Sequence, residues 1–429
     1  MRNDKKTTGP KQTGKKVTKT SDRNRKPTSQ FKEKKSSVVY SKLNSLFNIS
    51  KLPPESIFVL NNFDDVIQGV KPLNSRQLQQ LPDNIRSLSH QLTDKRSERR
   101  LGYMNDNVQL SSYVRYYTWW NLVRLTRLFS NLPDSVFPKT DCVALDLGSG
   151  PLTVITALWL ARPELRSLKI NWYCLDVSAN SMALGEDVYL STVARTSGEP
   201  WKIIRVKGSF GTNIRQKADF ITCANMFNEL DQASDMPPEF QSKKYFDQLK
   251  NYGSSSATFI LVEPGVPKAA RTLSLLRTRF LGIGKTIAAP CPHADECPMN
   301  GFKAYTGSRN KWCNFAFNTD DAPAKLLKLS ERAKLPKERA TLSFIAVSNE
   351  NISDANNSDL LCRVASDPIK LPGYRTGYYA CSKLGLSLLT VPQMDDKKQL
   401  TSGELLSVKI KTPDSLPKDE KSGACIISL

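Results

Sequence analysis

Between residues 141 and 265 short apolar runs alternate with stretches of helical pattern, and this alternation constrains the fold more than any other feature. The runs are Val143–Leu147, Trp172–Leu175, Trp201–Val206, Phe220–Ala224 and Phe259–Val262. Helix-patterned stretches such as Ser178–Leu190 and Phe240–Leu249 separate them. Strands spaced by helices predict an α/β fold with a parallel, doubly wound sheet. Cys142, Cys174 and Cys223 fall in or beside these strands and read as small buried hydrophobes. Lys268–Phe280 and Ala322–Ala333 read as further helices. Leu342–Val347 reads as one more strand that rejoins the sheet.

The flanks carry different patterns. From about 40 to 133 the pattern is helical: Leu122, Leu125 and Phe129 share one helical face, and Pro133 ends that helix. The cluster Tyr113, Tyr116, Tyr117, Trp119 and Trp120 is expected to be core, with base stacking as the alternative. From Leu360 to about Ile410 short strands and turns suggest a small β-rich appendage. The expected organisation is a basic tail over 1–38, disordered until bound, and a helical region over 39–135. A nucleotide-fold domain over 136–350 follows, with a Cys-rich insertion at about 286–318, and then the appendage and tail over 351–429.

Charge bears on the partner. The chain of 429 residues carries a formal net charge of +21. Residues 1–40 alone hold 13 Lys/Arg against 3 Asp/Glu. A basic tail on a basic body points to a polyanion, most simply nucleic acid, with a solubilising tail as the alternative. No apolar run reaches the roughly 20 residues of a membrane helix, so no membrane partner is expected. The start of the chain lacks a secretory apolar region, and its Lys-rich, acid-containing composition fits a mitochondrial transit peptide poorly. Nine cysteines, an odd number, favour reduced thiols or metal ligands over a disulfide framework.

The segment Asp146-Leu147-Gly148-Ser149-Gly150 follows the first strand and opens a helix. Gly148 and Gly150 allow the tight turn and close backbone approach that a cofactor needs. Asp176 ends the second strand, where a carboxylate can accept ribose hydroxyls of an adenosine cofactor. A glycine loop is common to dinucleotide and S-adenosylmethionine folds. The Asp-x-Gly-x-Gly form, with Leu152 where a third glycine often stands, favours S-adenosylmethionine. A pocket that keeps the fold without the cofactor is the alternative. Asn225 to Leu230 follow the fourth strand and Glu263-Pro264-Gly265 the fifth, at strand ends where open α/β sheets bind ligands. Asn225 is a candidate cofactor contact. Asn228 and Glu229 are candidates to face a substrate, or else caps of the next helix.

Four more cysteines stand apart from the strands. Cys291 and Cys297 lie in Pro-Cys-Pro-His and Glu-Cys-Pro, Cys313 in Trp-Cys-Asn-Phe, and Cys381 far downstream in Ala-Cys-Ser. No C-x-x-C pair occurs among them, which disfavours an ordinary zinc ribbon. Thiolates on irregular loops with one remote member suit an iron–sulfur cluster. Zinc, with His293 or Cys362 as a substitute ligand, stays open, as does a nucleophilic Cys291 for pyrimidine methylation.

These pieces together resemble a known family. Asp146-Leu-Gly-Ser-Gly-Pro, Phe227-Asn-Glu-Leu, Val262-Glu-Pro-Gly-Val-Pro, Cys291-Pro-His, Cys297-Pro, Trp312-Cys-Asn-Phe and Arg363-Val…Asp367-Pro…Cys381-Ser run in order across roughly 70–390. They resemble the Rsm-twenty-two type, the methyltransferase-like assembly factors of the small ribosomal subunit in mitochondria and bacteria. The resemblance implies a Rossmann-like methyltransferase sheet with an N-terminal helical region and a β-rich appendage tied by a metal cluster. It implies a four-iron four-sulfur cluster on Cys291, Cys297, Cys313 and Cys381, and S-adenosylmethionine near Asp146, Gly148, Gly150 and Asp176. The implied partners are small-subunit rRNA and the pre-ribosomal particle. The free chain is expected to be a monomer in the cytoplasm, as for bacterial members, with the mitochondrial matrix as the alternative. An rRNA methyltransferase and a non-catalytic assembly factor are both compatible with these residues; a small-molecule enzyme fits the charge less well.

Overall fold

A strand, β1 (Val39–Ser45), opens the described part of the computed structural model, which covers residues 38–93, 103–230, 236–302, 311–350 and 359–429. The basic tail, apart from Val38, lies outside the described residues. Helices α1 (Pro54–Asn61), α2 (Phe63–Val70), α3 (Ser75–Thr93) and α4 (Asn107–Tyr113) come next. Asp106 starts α4, its side chain accepting from the Val108 and Gln109 N–H groups. A π-helical turn at Val114–Thr118 joins α4 to α5 (Trp119–Asn131).

The alternating segment then forms β2 (Cys142–Leu147), α6 (Thr153–Ala161), β3 (Ile170–Asp176), α7 (Ala179–Val193), β4 (Lys202–Lys207) and β5 (Ala218–Ala224). It continues through α8 (Phe227–Leu230), α9 (Pro238–Tyr252), β6 (Gly253–Glu263) and α10 (Pro267–Gly282). After these come β7 (Thr286–Ala289), β8 (Phe315–Asn318), α11 (Ala324–Arg332) and β9 (Arg339–Ser348). The C-terminal strands are β10 (Leu360–Val364), β11 (Ile369–Leu371), β12 (Arg375–Ser382), β13 (Gly385–Pro392), β14 (Glu404–Lys409) and β15 (Cys425–Ser428).

The first sheet has the order β4-β3-β2-β5-β6-β9-β7, with β8 paired to β9. Strands β2 to β6 run parallel, and β9 is antiparallel to β6 and β7. The sheet is therefore a mixed, methyltransferase-like Rossmann sheet. Its chain order reverses at β2, which places the ligand crevice over the carboxyl ends of β2 and β5.

Apolar side chains cover both faces. Ile155, Trp159 and Trp172 belong to one core with Leu122, Leu125 and Phe129 of α5. Leu145, Leu147 and Ile221 belong to another with Leu249 of α9 and Phe280 of α10. Every residue of α6 is buried, in keeping with a sequence that is apolar but for Thr153 and Thr156. Trp119, Trp120 and Tyr116 are also core, as the aromatic cluster predicts.

The second sheet has the order β1-β14-β10-β12-β13-β15, with β11 on β12. Here the structure corrects the helical expectation for residues 39–45. They pair with β14 from Val39↔Lys409 to Ser45↔Glu404. That run, Val-Tyr-Ser-Lys-Leu-Asn-Ser, is mixed and mostly exposed, and its strand partner comes only near the other end of the chain.

Gly185 on α7 explains how the glycine loop is seated. A Cβ there would lie 2.3 Å from the Pro151 carbonyl carbon, a backbone atom that cannot turn aside. Gly185→Ala is expected to lower stability by about 1–3 kcal/mol through overpacking. Urea unfolding checks it, and an unchanged midpoint would show that the loop yields freely.

Candidate functional site

The glycine loop forms where β2 ends. Gly148 and Gly150 adopt φ of +66° and +48°, the left-handed region open to glycine. The Gly148 N–H donates to Leu175 O (2.9 Å), and the Ser149 hydroxyl donates to Asp146 O (2.7 Å). The Gly150 N–H donates to Asp176 Oδ2 (2.9 Å), and the Ser178 N–H to Asp176 Oδ1 (2.8 Å). The carboxylate expected to meet a ribose thus also fastens the loop to β3. Met226 covers Gly148: a Cβ at 148 would stand 3.0 Å from its Cβ. Met104 reaches over Gly150, and Asn105 Oδ1 accepts from the Ser178 hydroxyl (2.9 Å).

Asp146 is fully buried. Its Oδ1 accepts from the Thr222 hydroxyl (2.6 Å), and its Oδ2 has no hydrogen-bond partner. Burial pushes its pKa up to about 7, against the opposing hydrogen bonds from Thr222 and Ser149. Because the folded pKa is raised, the native state binds the proton more tightly than the unfolded chain. This contribution is full below about pH 4 and is lost as pH rises through about 7. Asp146→Asn is expected to remove that decline, with a relative gain on the order of a few kcal/mol at pH 8. Denaturant unfolding at pH 5 and pH 8 reads it, and parallel pH profiles for the two proteins would refute it.

The candidate substrate residues lie at the same edge. Asn225 takes φ of 61°, and its Oδ1 accepts from Arg124 (3.2 Å). Asn228 and Glu229 sit in α8, whose first N–H groups, at Phe227 and Asn228, donate to Glu263 (2.9 and 3.0 Å). Glu263 is fully buried and so serves as the cap of α8. Glu229 is exposed and shares an electrostatic environment with Tyr113 and Asp176. Burial, with those two carboxylates second, raises the Tyr113 pKa.

The four cysteines come from separate segments and meet electrostatically. All are free thiols. Burial, followed by Cys297, Cys291 and Cys381, pushes the Cys313 thiol well up. Burial, followed by Cys291 and Cys297, does the same for Cys381. Cys381 stands on β12 opposite Arg363 of β10, while Cys362 pairs with Ser382 and packs in the separate core of the second sheet. His293 Nε2 lies 3.0 Å from Cys381 Sγ, and its Nδ1 is buried with no hydrogen-bond partner. Among the described residues, no three Cys, His, Asp or Glu side chains stand at the spacing that holds a single ion.

Two buried arginines attend these thiols. Arg277 of α10, 3% exposed, donates through Nε to Cys291 Sγ (3.2 Å) and through Nη2 to the carbonyls of His293 and Asp295 (both 2.8 Å). Arg363, 6% exposed, donates to Pro290 O (3.1 Å), Gly403 O (2.8 Å) and Asn44 Oδ1 (2.9 Å). Cys291 is the largest charge acting on each of them. The sequence reading missed the role of Arg277. The signal is an arginine on the apolar face of α10, between the buried Leu273, Leu276 and Phe280.

The family model described as mitochondrial small ribosomal subunit Rsm22 matches residues 124–374. The chain belongs to that family. The match starts in α5 and ends just before β12, so it includes the glycine loop, Cys291, Cys297 and Cys313. No curated relative matches the sequence. Solved structures with similarity include the precorrin-6y C5,15-methyltransferase of Geobacter metallireducens, at 12% identity over 53% of this chain and 87% of that one, TM-score 0.31. Another is a putative class I S-adenosylmethionine-dependent methyltransferase of Listeria monocytogenes, at 12% identity over 70% and 88%, TM-score 0.29. A third is a methyltransferase of Geobacter sulfurreducens in complex with S-adenosyl-L-homocysteine, at 12% identity over 54% and 90%, TM-score 0.29. In this Rsm22-family chain, among the described residues, no helix is long and apolar enough to cross a membrane.

Proposed function

We propose that this Rsm22-family chain is an assembly factor that binds small-subunit rRNA in the pre-ribosomal particle and carries a four-iron four-sulfur cluster on Cys291, Cys297, Cys313 and Cys381. One observation carries the cluster reading: the thiols face two buried guanidinium groups, Arg277 and Arg363, neither with a carboxylate partner among the described residues. Two uncompensated buried cations cost several kcal/mol. Neutral thiols leave that cost in place, whereas metal-bound thiolates form a net anionic centre that offsets it. When bound, the cluster supplies a four-thiolate junction and a redox couple. Arg277 orients Cys291 and holds the loop at residues 293 and 295. Cys381 brings β12 to that loop.

Zinc on the same thiols would also be anionic, so the identity of the metal is read by experiment. Anaerobic purification with a visible spectrum and iron and sulfide analysis is expected to give iron and sulfide in equal amounts. Zinc without sulfide, or neither metal, would overturn the cluster.

S-adenosylmethionine is proposed for the crevice. The buried Oδ2 of Asp146 lacks a donor, Gly148 and Gly150 permit close approach, and Asp176 keeps lone pairs for hydroxyl donors. Asn225 stands at the crevice edge. The cofactor supplies an activated methyl group when bound; Asn228 and Glu229 are the side chains proposed to position its acceptor. Labelled S-adenosylmethionine with small-subunit precursor particles tests transfer: label incorporated with the natural chain and lost with Asp146→Ala supports it. Label in neither overturns methyl transfer and leaves a non-catalytic assembly factor. The family description favours the mitochondrial matrix over the cytoplasm.

A further inference from the structure

A second pair of enclosed cations, Arg124 and Lys337, lies beside Asn225. Arg124 of α5 donates to Asn121 Oδ1 (2.8 Å), Asn225 Oδ1 (3.2 Å) and Thr341 O (2.9 Å), all neutral acceptors, while its Nε is buried with no hydrogen-bond partner. The Lys337 ammonium sits 5.3 Å from the Trp120 ring centroid, 5.5 Å from Tyr116 and 6.0 Å from Tyr117. Neither cation forms an ion pair among the described residues. Burial lowers the pKa of Arg124 to about 10 and that of Lys337 to about 8, and Arg124 adds its repulsion to Lys337. Two like charges held near one another in an enclosed place, with Glu263 acting on Arg124 from beyond ion-pair distance and no carboxylate paired with Lys337 among the described residues, form a site that favours an anion.

The surroundings narrow the class of anion. The π-helical turn brings Tyr116 and Tyr117 together edge to face, 5.1 Å between centroids, and Tyr113 stacks on Tyr117 at 5.4 Å. Such single-turn π segments concentrate at functional sites. Arg124, Lys337, Tyr113 and Tyr117 each keep partial exposure, whereas Tyr116 and Trp120 are buried. The reachable groups are therefore two cations, two aromatic rings and, beside Tyr113, the exposed Glu229 carboxylate, which sets the phosphate on the Arg124 and Lys337 side. Charge beside stacking faces suits a nucleotide strand better than an acidic peptide. The bond from Arg124 to Asn225 joins this place to the cofactor crevice.

We propose that Arg124 and Lys337, with the rings of Tyr113 and Tyr117, form a subsite for a backbone phosphate of single-stranded RNA beside the crevice. The inference rests on the rRNA-binding reading and adds its place on the fold. The phosphate lies on the two cations, and a neighbouring base stacks on the partly exposed Tyr113–Tyr117 pair.

The test measures anisotropy of a fluorescein-labelled oligouridylate against salt, with thermal melting as the folding control. Lys337→Met is expected to bind about tenfold more weakly at moderate salt, and to reduce the slope of log affinity against log salt by about 1. Lys337→Arg should retain binding, and Tyr117→Leu should weaken it with the slope unchanged. Natural-type binding and slope in Lys337→Met would overturn the subsite. So would loss of S-adenosylmethionine affinity in that variant with RNA binding intact, because the anion would then be the cofactor carboxylate. Absence of oligouridylate binding in the natural chain would instead overturn the rRNA reading itself.

Discussion

Cys381→Ser is expected to release metal and to loosen the second sheet from the loop that carries Cys291 and Cys297. Cys381 is the member of the thiol set on β12; the others lie between α10 and β8. Metal binding at such a junction is folding free energy. Losing one ligand is expected to cost about 3 kcal/mol or more, at least about 3 °C in melting temperature for a chain of this size. Cys362→Ser is the matched control. Cys362 is also buried and sits one position away across the β10–β12 pair, but it packs in the core of the second sheet with Val364, Tyr378 and Leu406. It should keep its iron. Iron content and melting equal to the natural chain in Cys381→Ser would remove the junction from the account, and iron loss in both variants would show a fold effect rather than a ligand effect.

Arg277→Met should be nearly as damaging, for a different reason. The methionine side chain is shorter and has no donors, so the part-buried carbonyls of His293 and Asp295 lose their bonds, at about 1 kcal/mol each. The thiol centre also loses one of its two facing cations. A positive charge near a cluster favours the reduced, more negative state. The reduction potential of Arg277→Met should therefore move to more negative values, while Arg277→Lys keeps the charge, loses the fork and should shift it less. Melting reads the first consequence and a redox titration followed by electron paramagnetic resonance reads the second. Lower stability with an unmoved potential would reduce Arg277 to a packing role.

The strands of the first sheet were legible because each is a short apolar run bounded by loop residues. Val143–Leu147 and Phe220–Ala224 lie within β2 and β5, and Leu342–Val347 lies within β9. Asp146, Gly148, Gly150 and Asp176 could be named because a glycine loop and the acid ending the next strand have a fixed local order. Strand β1 was not legible, since its pairing with β14 joins opposite ends of the chain. Glu263 was named in its motif but not as a cap, because the N–H groups it meets lie more than thirty residues upstream. Lys337 carried no local sign of its ring neighbours, which come from the π-helical turn and α5.

Periodicity and spacing along the chain thus determined the doubly wound sheet, the crevice at its switch point and the four candidate thiols, because these follow from residues near in sequence. Tertiary structure alone decided what surrounds them. It set Arg277 and Arg363 against the thiols, left Asp146 Oδ2 without a donor, and enclosed Arg124 and Lys337 beside the crevice. The reason is physical: the energy of a buried charge depends on which distant segments exclude water from it and which partners they bring, and that is fixed only when the chain packs.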